Sequence, residues 1–354
     1  MSRIPVSILS GFLGSGKTTL LNRLLRQPGM SDTAVIVNEF GEIGLDHELV
    51  EAGDGSVVLL PNGCVCCAVR GSFVQALDDL HQRRARGAVT RFARVVIETS
   101  GLADPGPLIQ ALLAEPSLRA RFVFDEVTVT VDVVNGMATL DTHLEAVRQL
   151  AVADRIVLTK QDMLPEDAAE ATVAELTRML RQVNPGATLG TAAAAIDEIV
   201  RAAPFDPEQG GDIGRWLRDT AYRGRQACRH GRHSGRVRSF CVVRDEAIDE
   251  GALALFLSGL GKYLGPRMLR LKGIVHVAQR PDRPAVVQGA QALLHEPVWL
   301  ERWPGPERRT RLVFITLDIE QDEIEDMLGL MERMQARALL ARARASGWPA
   351  QAAA

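Results

Sequence analysis

Up to about Pro204 the chain alternates two textures. Short β-branched runs, "IPVSIL" (4–9), "TAVIVN" (33–38), "ARVVIET" (93–99), "EVTVTVD" (126–132) and "DRIVLTK" (154–160), are rich in apolar residues and predict buried strands. Between several of them, "KTTLLNRLLRQ" (17–27) and "SFVQALDDLHQRRA" (72–85) place apolar residues every three or four positions and predict amphipathic helices. Strand–helix alternation of this kind predicts an α/β unit with a mostly parallel sheet and helices on both faces.

The texture then breaks. "APFDPEQGGDIG" (203–214) and the arginine-rich "YRGRQACRHGRHSGRVR" (222–238) read as breaker-rich sequence. After them come strand patterns at "SFCVVR" (239–244), "LRLKGIVHVA" (269–278), "PAVVQGAQ" (284–291) and "TRLVFITLDI" (310–319). A helical stretch "DEGALALFLSGLGKYL" (249–264) and a last helix from about Glu323 accompany them. The expected organisation is an α/β domain over 1–204, a linker over 205–236, a smaller α+β domain over 237–335 and a flexible tail over 336–354. No internal repeat is visible.

With 354 residues the chain is long enough for two cores. Its 46% hydrophobic and 24% charged residues are those of an ordinary globular protein, and a net charge of -3 argues against wholesale nucleic-acid binding. No apolar run reaches membrane-spanning length. The N-terminal "MSRIPVSILSGFLGSGKTT" enters a glycine–lysine motif where a signal peptide would have a cleavage site, so a cytoplasmic protein is expected.

That motif, "GFLGSGKT" from Gly11 to Thr18, fits G-x-x-x-x-G-K-[ST] between a strand and a helix. Gly11, Gly14 and Gly16 let the backbone curl so that N–H groups face phosphate oxygens, and Ser15 and Thr19 complete the loop. The helix N-terminus favours negative charge. Lys17 is expected to reach the β- and γ-phosphates from a solvent-facing loop, and Thr18 to ligate Mg²⁺. Glu98, at the tip of the strand in "VVIETSG", is a second candidate for Mg²⁺. "LTKQD", Leu158 to Asp162, resembles the N-K-x-D guanine reader with Thr159 in place of Asn. Asp162 would accept from the guanine N–H and amino groups, which adenine cannot match, and Lys160 would lie along the base. The nucleotide is therefore expected to be GTP. A P-loop kinase acting on a small molecule is the alternative enzyme class.

Three of the five cysteines, Cys64, Cys66 and Cys67, fall in "GCVCC" (63–67). Clustered thiols suit a borderline-soft ion such as Zn²⁺. The same run contains a C-x-x-C, which redox proteins also use, and packing is the third reading. A Cys64/Cys66 or a Cys64/Cys67 pair, with ligands from elsewhere, would serve a tetrahedral ion as well as all three.

Taken together, "GFLGSGKTTLLN", "VNEFGEIGLD", "GCVCC", "ETSGLADP", "LTKQD", "RLKGIVHVA" and "RRTRLVFI" resemble the CobW-type metallochaperone GTPases. The resemblance implies a P-loop domain followed by a smaller α+β CobW C-terminal domain, Mg²⁺-dependent GTP hydrolysis, and Zn²⁺ or Co²⁺ held by Cys64, Cys66 and Cys67 for delivery to a client protein or cofactor pathway. It gives Glu39, Glu42 and Asp46 roles in sensing Mg²⁺, water or the transferred metal. Glu39 joins Lys17 and Glu98 as a catalytic candidate, and Glu42 and Asp46 are candidate metal contacts. A non-catalytic metal buffer or sensor is the other alternative. Many members carry a histidine-rich run between the domains; here only Cys228, His230 and His233 stand in that stretch, where they could catch metal loosely, although the stretch reads first as a solvated basic linker. The expected partners are GTP, a transition metal and a client, with no membrane and no nucleic acid. The sequence is also compatible with a homodimer.

Overall fold

The structure is a computed structural model and describes residues 3–38, 57–59, 69–201, 212–223, 234–290, 293–294 and 296–345. Seven strands form the first sheet: β1 (Ile4–Gly11), β2 (Thr33–Asn38), β3 (Val57–Leu59), β4 (Arg94–Thr99), β5 (Phe122–Asp132), β6 (Arg155–Thr159) and β7 (Thr188–Thr191). Their order is β3-β2-β4-β1-β5-β6-β7, and every pairing is parallel. The period-2 geometry of a strand, with both faces of the sheet covered, explains why apolar residues fall on both alternate sets of positions. Ile4, Val6, Ile8, Ile36, Val95 and Ile97 enter one core, while Leu9, Val35, Val37 and Val96 enter another on the opposite face.

Helices cover both faces. α1 (Lys17–Leu25) and α8 (Ala192–Arg201) pack Leu20, Leu21, Leu24 and Ile196 on one side. On the other lie α2 (Val69–Ala85), α3 (Gly106–Ala114), the short α4 (Pro116–Arg119), α5 (Gly136–Thr142), α6 (Leu144–Val152) and α7 (Glu166–Val183). The hydrophobic pattern predicts β1, β2, β4, β5 and β6. It misses β3 and β7. β3 has only three residues, and β7, "TLGT", sits at the sheet edge with no fully buried side chain.

After α9 (Ile213–Leu217) the second sheet contains β8 (Val237–Arg244), β9 (Met268–Val275), β10 (Ala285–Ala290), β11 (Leu293–Leu294), β12 (Val298–Trp299) and β13 (Thr310–Leu317). Its main path is β11-β10-β9-β13-β8, antiparallel throughout, with β12 on β10. α10 (Glu250–Gly259) and α11 (Gln321–Ala345) cover one face through Phe256, Leu257, Ile324 and Leu328. The other face, through Val237, Leu269, Ile274, Val313 and Ile315, joins the core of the first sheet.

Two boundary expectations change. Within the expected linker, Ile213, Leu217 and Tyr222 are buried in the shared core, so residues 212–223 pack rather than tether. Local composition hides this because the partners are distant: Tyr222 donates its hydroxyl to Asn184 Oδ1 at 2.9 Å. Residues 336–345, assigned to the tail, continue α11. Alanine and arginine there are good helix formers, and helix propensity decides where packing is sparse.

Candidate nucleotide site

The site lies at the carboxyl ends of β1, β4, β5 and β6, where parallel sheets bind ligands. β1 ends at Gly11, whose φ is 144°. A Cβ there would stand 2.4 Å from Thr130 Oγ1, 2.6 Å from Thr130 O and 2.7 Å from Ser15 Oγ, so only glycine fits. The Ser15 and Thr130 hydroxyls hydrogen-bond at 2.7 Å and tie the loop to β5. Gly16, at φ 88°, opens α1.

Lys17 is buried, and its ammonium donates to the carbonyls of Gly11 and Phe12, each at 3.1 Å. This corrects the expectation of a solvent-facing side chain: the loop folds back beneath the lysine and uses its own carbonyls to satisfy the charge. Thr18 Oγ1 donates to Glu98 Oε1 at 2.7 Å. Glu98 is buried at the end of β4, in register with Leu9 of β1 and Val37 of β2. A hydroxyl and a carboxylate in contact at the mouth of a phosphate loop are hard oxygen donors of the kind Mg²⁺ takes, so the residues present fit that ion.

A cleft of about 420 Å³ opens beside the loop, lined by Gly16, Thr19, Arg23, Thr159, Lys160, Gln161 and Asp162. Thr159, at the end of β6, donates its hydroxyl to Ser15 O at 2.7 Å, with Val131 O at 3.2 Å. The residue that departs from N-K-x-D thus ties that segment to the phosphate loop. Lys160 has a φ of 59° and pairs with Asp132 at 2.8 Å. Asp162 is exposed in the following turn.

Sequence reasoning missed three contributors. Thr130 holds Gly11 and Ser15. Asp132 holds Lys160. Gln149, buried on α6, donates Nε2 to Gly101 O at 3.0 Å and Ala103 O at 2.9 Å, pinning the segment after Glu98. Asp132 was visible only as the polar end of "TVTVD", and nothing local marks Gln149.

Glu39, Glu42, Asp46, Cys64, Cys66, Cys67, Cys228, His230 and His233 lie outside the described residues. Among the described residues no group of three or more His, Cys, Asp or Glu is placed to hold a metal ion. Asn38, the first residue of NEFGE, and Leu59, the last described residue before GCVCC, end the neighbouring parallel strands β2 and β3 at the carboxyl end of the sheet, level with Glu98.

Residues 5–189 match the family model "CobW/HypB/UreG, nucleotide-binding domain", and residues 237–331 match "Cobalamin synthesis protein cobW C-terminal domain". The chain belongs to the CobW/HypB/UreG family of P-loop GTPases. Within this family it is 31% identical over 338 residues to zinc chaperone YjiA of Escherichia coli K12, spanning 92% of this chain and 97% of that protein. Zinc chaperone CobW of Pseudomonas aeruginosa is 36% identical over 207 residues, 50% of this chain and 54% of that one. Zn(II)-bound YjiA GTPase from E. coli superposes with a TM-score of 0.64 at 26% identity, covering 94% of this chain and 99% of the other. The family assignment agrees with the P-loop and CobW C-terminal folds expected from the sequence. Among the described residues no helix is long and apolar enough to cross a membrane.

Proposed function

We propose that this chain hydrolyses GTP in a Mg²⁺-dependent way and uses that cycle to load Zn²⁺ or Co²⁺, bound at Cys64, Cys66 and Cys67, into a client protein or cofactor pathway of the cytoplasm. The observation that carries the GTPase half is the 2.7 Å contact between Thr18 and Glu98 beside Lys17. The likeness to a protein named a zinc chaperone, over nearly its whole length, supports the metal half.

The positions of the described residues support the roles proposed for them. The loop N–H groups and the N-terminus of α1 receive phosphate oxygens. Lys17 leaves its two carbonyls for the γ-phosphate. Thr18 and Glu98 would hold Mg²⁺, which supplies neutralisation of phosphate charge when bound. Asp162 accepts from guanine and Lys160 lies along the base. Glu39, Glu42 and Asp46 belong to the segment that follows β2, and Glu39 is assigned to the attacking water. β3 ends at Leu59, level with Glu98 through Val37, and Cys64 follows it five positions later in the sequence, which supports coupling between the nucleotide and the thiols. Affinity alone seldom selects among first-row divalent ions, and a nucleotide-switched site binds tightly in one state and releases in the other.

The test is a Zn²⁺ titration of wild type and of the Cys64→Ser/Cys66→Ser/Cys67→Ser variant, each with a GTP analogue, with GDP and without nucleotide. Wild-type affinity should change about tenfold between nucleotide states, a coupling of about 1.4 kcal/mol, and by linkage Zn²⁺ should change GTP affinity equally. The variant should lose the coupling and keep GTP binding. Identical wild-type titrations in all three states would sink the loading cycle.

A further inference from the structure

Lys160 adopts a backbone conformation that favours glycine, with φ 59°. Something must hold it, and its ammonium reaches 28 residues back to Asp132 Oδ2 at 2.8 Å. Asp132 ends β5 in register with Thr159 of β6, so the ion pair bridges the tips of neighbouring strands. The carboxylate is otherwise fully engaged. Oδ1 accepts from Val134 N at 2.8 Å and Asn135 N at 3.4 Å, and Oδ2 accepts from Asn135 Nδ2 at 3.0 Å. Burial pushes the Asp132 pKa up, but the donors from Lys160, Asn135 and Val134 outweigh it and hold the carboxyl below its ordinary value.

Lys160 also divides two spaces. It lines the 420 Å³ cleft with Thr159 and Asp162, and it lines a second cavity of about 270 Å³ walled by Phe12 to Ser15, the end of β5 and α5. Lys160 is common to both linings, and Asp132 anchors its ammonium.

We infer that Asp132 is a positioning residue for nucleotide binding: it fixes the Lys160 side chain between the base cleft and the cavity behind the phosphate loop, and so sets guanine-nucleotide affinity. This rests on the cleft being the base site proposed above. An unanchored Lys160 would have open space on both sides and would pay its rotamer entropy on binding.

A double-mutant cycle on the full chain tests it. Asp132→Asn keeps an oxygen for the Val134 and Asn135 N–H groups and removes the charge that anchors Lys160. It should weaken GDP binding about tenfold and raise KM for GTP, with kcat changing less than about threefold. Lys160→Met should lose a similar factor, and the double variant should be no weaker than Lys160→Met alone. GDP binding by Asp132→Asn within about twofold of wild type, or losses that multiply in the double variant, would overturn the inference. Asn135→Ala removes only the Nδ2 donor to Asp132 Oδ2 and leaves the ion pair, so it should stay within about threefold of wild type; a tenfold loss there would show that the ion pair is not what sets affinity and would also overturn the inference. If Asp132→Asn does not fold, Asp132→Ser, which still offers the corner an acceptor, replaces it in the cycle. The same measurements with ATP separate this from the guanine reading. Equal wild-type affinity for GTP and ATP would end that reading, while the Asp132–Lys160 coupling would still be decided on whichever nucleotide binds.

Discussion

At the residue scale the site depends on short contacts that only certain side chains can make. Thr159 stands where the guanine reader of GTPases has an asparagine, and its hydroxyl is 2.7 Å from Ser15 O. The would-be Cβ of Gly16 lies 3.5 Å from Thr159 Cβ, so the side chain rests directly on the start of α1. A small β-branched residue fills that space, and the hydroxyl satisfies a carbonyl of the phosphate loop. Thr159→Val keeps the shape and removes the donor. Losing one partner of such a bond costs about 1–3 kcal/mol. We expect Thr159→Val to lower the melting temperature and to weaken GDP binding several-fold, with base preference kept under the proposed reading of Asp162 as the base contact. Wild-type GDP affinity in the variant would show that Thr159 only fills space.

At the element scale, much of the fold was legible because its signals are local. A strand buried on both faces reads as a continuous apolar run, and the glycines of the phosphate loop mark the passage from β1 to α1. Short or edge elements such as β3 and β7 carry too few apolar positions to register, and contacts such as Gln149 to Gly101 join residues that no spacing rule connects. α10 shows local coding at its clearest. Asp249 caps it, accepting from Gly251 N at 2.9 Å and Ala252 N at 3.2 Å, and Gln279 donates to the same carboxylate. Burial pushes the Asp249 pKa up, but hydrogen bonds from Gln279 and the Ala252 and Gly251 N–H groups bring it below its ordinary 3.8. With the folded value depressed, the stabilisation is present above the unfolded value and is lost as pH falls through the folded one. Asp249→Ala should therefore cost about 1 kcal/mol at neutral pH. Denaturant melts from pH 7 down to pH 3 should show wild type and variant converging below about pH 4; a gap independent of pH would mean that the carboxylate charge plays no part.

At the scale of the whole molecule the two sheets are joined by charge as well as by a shared apolar core. Asp154, just before β6, receives Arg270 Nη2 and Lys272 Nζ from β9 on the same oxygen, each at 2.5 Å. Its other oxygen accepts from Val127 N at 3.0 Å. Arg270 also donates to Val152 O and Ala153 O at the end of α6, the helix whose Gln149 pins the segment after Glu98. "RLKG" was visible in the sequence as a motif, but its purpose was not, because its partner lies 116 residues away from Arg270. Burial pushes the Asp154 pKa up, and Arg270 and Lys272 outweigh it and hold the carboxyl far below its ordinary value. Burial and Arg270 pull Lys272 down to about 8 despite Asp154. The cluster thus holds two cations on one anion, and removing the anion is the damaging change. Asp154→Asn should cost about 3–5 kcal/mol because both cations stay buried, whereas Lys272→Met removes the surplus charge and should cost much less. The pH dependence carries its own sign. Between about 8 and 10.5 the unfolded chain binds more protons at Lys272 than the folded one, so this lysine's contribution to stability rises with pH. Wild type should therefore gain on Lys272→Met across that window in equilibrium denaturation. A larger penalty for Lys272→Met than for Asp154→Asn, or a gap that moves against wild type as pH rises, would mean that the ammonium of Lys272 is a net stabiliser of the joint between the sheets.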